Sequence, residues 1–144
     1  MKKIALLIVI VLSLYGYLDN NPDLIQSFTK QSTTDDSTLA SAYENRISDI
    51  QVGGSGVVIR NLADDTSGSR HQKFILKLSS GLALLVSHNI DLAPRINSLR
   101  KGDTVNFYGE YEWNSKGGVV HWTHHDPSGK HVGGWLKHNG VTYQ

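Results

Sequence analysis

The sequence predicts an all-β fold: a small five-stranded barrel of Greek-key type behind an N-terminal signal or anchor segment. Three observations carry this. Short apolar runs with period-two alternation recur from Ile50 to Thr123, separated by turns rich in Gly, Ser, Asn and Asp. Glycines break the first of these runs at Gly53, Gly54 and Gly56, as where a sheet coils sharply. The one stretch that reads as neither strand nor simple turn, Asn89 to Ile96, falls between the third and fourth runs.

The N-terminus comes first. Lys2 and Lys3 precede an apolar run from Ile4 to Leu14, the pattern of a secretory signal, so residues 1–18 read as a signal peptide or an N-terminal membrane anchor. Extended to Leu18, the run would span roughly 22 Å as a helix, short of a bilayer core of about 30 Å. Small residues are poorly spaced for cleavage, which keeps an uncleaved inner-membrane anchor open. The lysines before the run and Asp19 and Asp23 after it place the remainder outside the cytoplasm. A periplasmic or secreted domain is expected, touching membrane only through its N-terminal segment. The chain has no cysteine, so neither a disulfide nor a lipid-bearing thiol is available.

Residues 19–45 read as a polar linker. Within it, Ser37 or Thr38 is placed to cap a short helix through Leu39, Ala40, Ala42, Tyr43 and Arg46, marginal unless it docks on the domain. The barrel domain is assigned to 46–144. Its first strand holds Ile50, Val52, Val57, Val58 and Ile59, and Asn61 to Ser69 is an acidic loop. In His71–Leu78, Phe74, Leu76 and Leu78 share one face. Ser79-Ser80-Gly81 turns into Leu82–His88. A connector of one to two helical turns, limited by Pro94, leads to Leu99-Arg100-Lys101-Gly102-Asp103. Thr104–Trp113 is the clearest strand, with Val105, Phe107, Gly109, Tyr111 and Trp113 on one face and Glu110 and Glu112 on the other. A turn over Asn114–Gly118 leads to Val119–Thr123. A terminal hairpin pairs Trp135-Leu136 with Val141–Tyr143 around His138-Asn139-Gly140. Three strands, a short helical connector and two further strands are the layout of the OB-fold.

The unusual chemistry lies between Val119 and Trp135, 17 residues holding four histidines, one aspartate and two tryptophans. Along a continued strand, His121 and Thr123 share one face and Trp122 and His124 the other. Asp126-Pro127-Ser128-Gly129 is a turn signature that returns His131 towards His124 or His125. His121, His124, His125, Asp126 and His131 are therefore the candidate ligands for zinc, copper or nickel. The spacing matches no specific metal motif, so histidines that only pack beside tryptophan stand as the plainer alternative. Glu110 and Glu112 share a strand face, but nothing in the sequence identifies a partner for them.

His71 opens the second strand and His88 closes the third, so a hairpin brings them to one end of the barrel with Asn89. Arg95, Trp113, Trp122 and Trp135 complete the candidate ligand-binding set. From Arg46 onward the chain has 11 basic and 8 acidic residues, with all seven histidines. That is a mild excess, not that of a protein living on phosphate contacts. Single-stranded nucleic acid, stacked on the aromatic residues, is therefore the lesser partner beside a small-molecule or polymeric ligand of the cell envelope.

Several stretches together, His71–Leu76, His88–Ile96, Lys101-Gly102-Asp103, Gly109–Asn114 and His121-Trp122-Thr123-His124-His125-Asp126-Pro127, resemble the DUF3465 family of small exported bacterial proteins, known by the His-Trp-Thr-His run. The resemblance covers about Ile50 to Tyr143 and implies export and a single domain; it supplies no catalytic residues. A looser similarity to periplasmic OB-fold proteins rests on strand order and on Leu99-x-Lys101-Gly102-Asp103-x-Val105-x-Phe107-x-Gly109, and suggests ligand binding. The expectation is an exported ligand-binding module with a transition metal in the 121–131 run. The alternatives are a metal-dependent hydrolase of phosphodiesters or envelope polymers, and a structural envelope protein with no small ligand.

Overall fold

The computed structural model describes residues 2–22 and 36–144. Residues 23–35 of the predicted linker therefore lie outside the described residues. The chain divides into two compact units, residues 1–34 and 35–144. In the first, α1 (Lys2–Asp19) takes up the apolar run. Among the described residues, no helix is long and apolar enough to cross a membrane.

The second unit is a closed barrel. Its strands are β1 (Ile50–Asn61), β2 (His71–Lys77), β3 (Ala83–Asn89), β4 (Thr104–Glu112) and β5 (Val119–His121), followed by β6 (Trp135–His138) and β7 (Val141–Tyr143). The sheet order is β1-β2-β3-β5-β4-β6-β7, and an additional pairing of β1 with β4 closes the five-stranded ring. β3 and β5 are parallel, and the other neighbours are antiparallel. β1 closes the ring because it serves two partners. Ile50–Val57 pair with β4, Val57–Asn61 pair with β2, and the register shifts between Val58 and Arg60. Coiling a strand this far brings backbone against core, and at Gly54 any Cβ would meet the Phe107 ring at 2.6 Å.

The predicted alternation holds. Phe74, Leu76, Leu84, Val86, Val105, Phe107, Tyr111 and Val120 point inward and are fully buried, and Leu136 of β6 joins them. The connector between β3 and β4 amounts to one helical turn, closed by the Ala93 N–H on the Asn89 carbonyl at 3.1 Å. Pro94 lacks the N–H that would continue it.

A short helix, α2, described over 36–44, docks on this barrel. Leu39 and Ala42 are buried in the same apolar cluster as the strands. The helix ends in a Schellman motif. Ile47 N–H donates to the Ala42 carbonyl and Arg46 N–H to the Tyr43 carbonyl, with Arg46 at φ 54° in the position glycine usually takes. Trp113 holds the helix from the barrel side: its indole N–H donates to the Tyr43 carbonyl at 3.0 Å, its ring stacks on Tyr43, and Arg46 lies over it.

Candidate metal centre and adjoining groove

The site is built on the outward face of β4. Inward alternation of Val105, Phe107, Gly109 and Tyr111 turns Glu110 and Glu112 outward together. The β4–β5 register sets Glu110 directly opposite His121. The strands close tightly there because residue 109 is glycine: a Cβ would collide with the His121 carbonyl oxygen and crowd Thr123 and Val120.

Glu110, Glu112 and His121 each offer a ligand atom within 4.8 Å of the others, a group that could hold a metal ion. His121 Nε2 stands 3.4 Å from Glu110 Oε1 and 3.9 Å from Glu112 Oε1. It is buried and makes no hydrogen bond. Zinc–nitrogen and zinc–oxygen bonds of about 2.0–2.1 Å at a tetrahedral angle separate two ligands by about 3.4 Å, so the His121–Glu110 pair already has the spacing an ion requires. The surroundings favour a cation further. Burial raises the Glu112 pKa, and a hydrogen bond shared with the Asp49 carboxyl raises it again, so negative charge is crowded here. Gln51 lies opposite Glu110 on β1, and its buried amide nitrogen is also without a partner.

The histidine run is placed differently from the expectation. Trp122 takes φ 53°, which ends β5 at His121 and breaks the alternation. His121 stays on the outer face with the glutamates, while Thr123 turns inward and its hydroxyl meets His88 Nδ1 at 2.9 Å. The predicted turn forms at Asp126–Gly129, closed by Gly129 N–H on the Asp126 carbonyl. Its carboxylate accepts from the Ser128 hydroxyl and from the N–H groups of His131, Ser128 and Lys130, which hold its pKa well below the usual carboxylate range. Asp126 is thus spent on its own loop. His124 donates through Nδ1 to the His125 carbonyl, and the His125 side chain faces solvent. The turn does return His131: it reaches Glu110 and the Trp122 ring, on which His124 also lies with centroids 5.2 Å apart. The His131 ring stacks on Trp122 with centroids 3.9 Å apart, and its Nε2 lies 2.6 Å from Glu110 Oε2. Burial works against a charged His131 ring, but the Glu110 carboxylate, the Val132 carbonyl and Asp126 outweigh it, and the pKa is raised. Of the five metal candidates, the structure brings His121 and His131 to one carboxylate and leaves His124, His125 and Asp126 apart from it. Sequence reasoning missed Glu110 and Glu112 as ligands; their spacing on one strand face was the available signal, and the β5 register was the missing one.

Beside this centre lies a groove of about 240 Å³, lined by Ser69, His71, Ser87, Asn89, Leu92, His121, Trp122 and His124. The antiparallel β2–β3 register pairs His71 with Asn89, as the hairpin argument requires. His71 and His124 each donate through Nδ1 to a backbone carbonyl (Ser69 and His125), which fixes the orientation of both rings. His88 is behind the groove, not in it. It is fully buried, its Nε2–H donates to the Pro94 carbonyl, and Thr123 donates to its Nδ1. The remaining candidates are engaged elsewhere. Arg95 forms a two-pronged pair with Asp64, Trp113 secures α2, and Trp135 stacks on Tyr108.

Burial lowers the His88 pKa to about 4, and the Pro94 and Thr123 bonds only partly oppose this. An unfolded histidine titrates near 6.5, so between those values the unfolded chain binds the extra proton. The stability His88 contributes is complete above about pH 6.5 and is lost as pH falls through 4, a loss approaching about 3 kcal/mol. Urea midpoints measured from pH 7.5 to 4 should fall more steeply for the native chain than for His88→Asn. Parallel curves would contradict this.

A family model described as a protein of unknown function, DUF3465, matches residues 23–144. No curated protein matches the chain.

Proposed function

This chain belongs to the DUF3465 family, and from that premise we propose that it is an exported ligand-binding module whose barrel holds a divalent first-row metal ion at Glu110, Glu112 and His121. The observation that carries this reading is the His121 ring nitrogen, buried and without a hydrogen bond, at ligand spacing from the Glu110 carboxylate and 3.9 Å from that of Glu112. A buried polar atom without a hydrogen bond costs about 1–3 kcal/mol, and an ion would satisfy it and support the disfavoured charge of Glu112. The donors are imidazole and carboxylate with no thiolate, which suits zinc first, then nickel or copper(II), and not copper(I). The groove beside His121 is the place for the organic ligand; its size fits one small molecule or one unit of a polymer, being below the about 300–1,000 Å³ of drug-sized pockets. Export is supported by Lys2, Lys3 and the apolar segment after them.

The full chain, purified without a polyhistidine tag, should take up about one zinc ion on calorimetric titration. With free zinc at about 100 times Kd, the domain gains about 2.7 kcal/mol, or roughly 10 °C in Tm. No heat and no Tm shift with zinc, nickel or copper(II) would overturn the reading. A hydrolase has one observation in its favour: three protein ligands leave a tetrahedral ion one open position, and the groove adjoins it.

A further inference from the structure

The loop from Asp126 to Gly134 is built to present one ring. Asp126 fixes its base by accepting the backbone N–H groups of Lys130 and His131, each at 2.8 Å. Gly134 N–H donates to the His124 carbonyl at 2.9 Å and ties down its far end. Between these anchors, His131 lies flat on Trp122, with 9° between the ring planes. Its Nδ1 is 2.7 Å from the Val132 carbonyl. A carbonyl only accepts, so Nδ1 bears the proton, and Nε2 is the atom presented outward. Metal-bound histidines are held this way, with one ring nitrogen donating to a carbonyl and the other free for the ion. Here the presented atom donates to Glu110 Oε2, so an ion would take the place of its proton, which leaves to solvent, while the other oxygen of the same carboxylate faces His121.

We propose that His131 is a fourth ligand of the ion, completing a site with Glu110, Glu112 and His121 that clamps the 126–134 loop onto β4. This rests on the metal reading above. The His131–Glu110 separation of 2.6 Å is a hydrogen bond. Widening it by under about 1 Å gives the ligand spacing to Glu110, and a further shift of the ring is needed to close on Glu112 and His121, which with Glu110 already lie within 4.8 Å of one another. That displacement is within reach of a ring carried on a loop between glycines. Two consequences follow. Four protein ligands close a tetrahedral site, which leaves no position for an activated water and decides against hydrolysis. And because His131 stacks on Trp122, a wall of the groove, ion binding fixes that wall and couples metal occupancy to the shape of the ligand site.

Copper(II) added to the full chain allows the ligands to be counted. Pulsed electron paramagnetic resonance should detect two coordinated imidazoles in the native chain and one in His131→Gln. Zinc affinity of His131→Gln should fall at least about 10-fold, with the metal-free Tm measured alongside to confirm folding. One imidazole in the native chain, or undiminished affinity in His131→Gln while His121→Ala loses it, overturns the fourth ligand and leaves the three-residue site standing. Undiminished affinity in both variants overturns the metal reading itself.

Discussion

Glu112→Gln is expected to weaken zinc binding by about 100-fold or more while leaving the metal-free domain no less stable. Partners that merely orient metal ligands are worth about 10–100-fold, so losing a ligand lies at or beyond the upper end of that range. The stability half of the prediction is the more diagnostic. Burial and the Asp49 carboxyl both disfavour the charged form of Glu112, so it sits where its charge is unwelcome without a cation. The amide keeps the shape of the side chain and removes that charge. A residue retained for folding would behave in the opposite way, with Tm falling and affinity unchanged. Sites that hold a ligand commonly stabilise the complex at the expense of the free fold, and this pair of measurements separates the two roles.

Gly109→Ala is expected to destabilise the barrel by about 3 kcal/mol or more. Overpacking typically costs about 1–3 kcal/mol when side chains can yield. Here the added methyl meets the His121 backbone carbonyl, which cannot move without parting β4 from β5. Thr123 and Val120 each lie 2.9 Å from the same position, so tilting the strand gives no escape. The strands that part are those that set Glu110 opposite His121, so whatever folded protein remains should also bind zinc less tightly. Denaturant unfolding gives the first quantity and calorimetric titration the second. A loss below about 1 kcal/mol with zinc affinity intact would mean that β5 is looser than the close approach implies.

The barrel was legible because its strands repeat the same pattern. Phe74, Leu76 and Leu78 in one run, and Val105, Phe107 and Tyr111 in another, alternate cleanly, and glycines mark where β1 coils. Docking of α2 was not legible. Leu39 and Ala42 are too few to declare an amphipathic face, and the Schellman end places Arg46 where a glycine would have announced it. The site was half legible. Composition drew attention to residues 121–131, and the Asp126 turn was read correctly as a reversal. The side chains that meet there depend on two facts that leave little trace in the sequence. One is the positive φ of Trp122, which divides His121 from Thr123. The other is the pairing of β4 with β5, which gives His121 the glutamates as neighbours. Aspartate looked like the ligand because it stood among histidines, yet its oxygens serve the loop's own N–H groups.

The most direct measurement is a crystal of the full chain grown with zinc, with data collected on either side of the zinc absorption edge. The anomalous difference map should show one strong peak within about 2.2 Å of Glu110, Glu112 and His121 atoms. A peak at His124 or His125 instead, or no peak on the β4–β5 face at saturating zinc, would contradict the account.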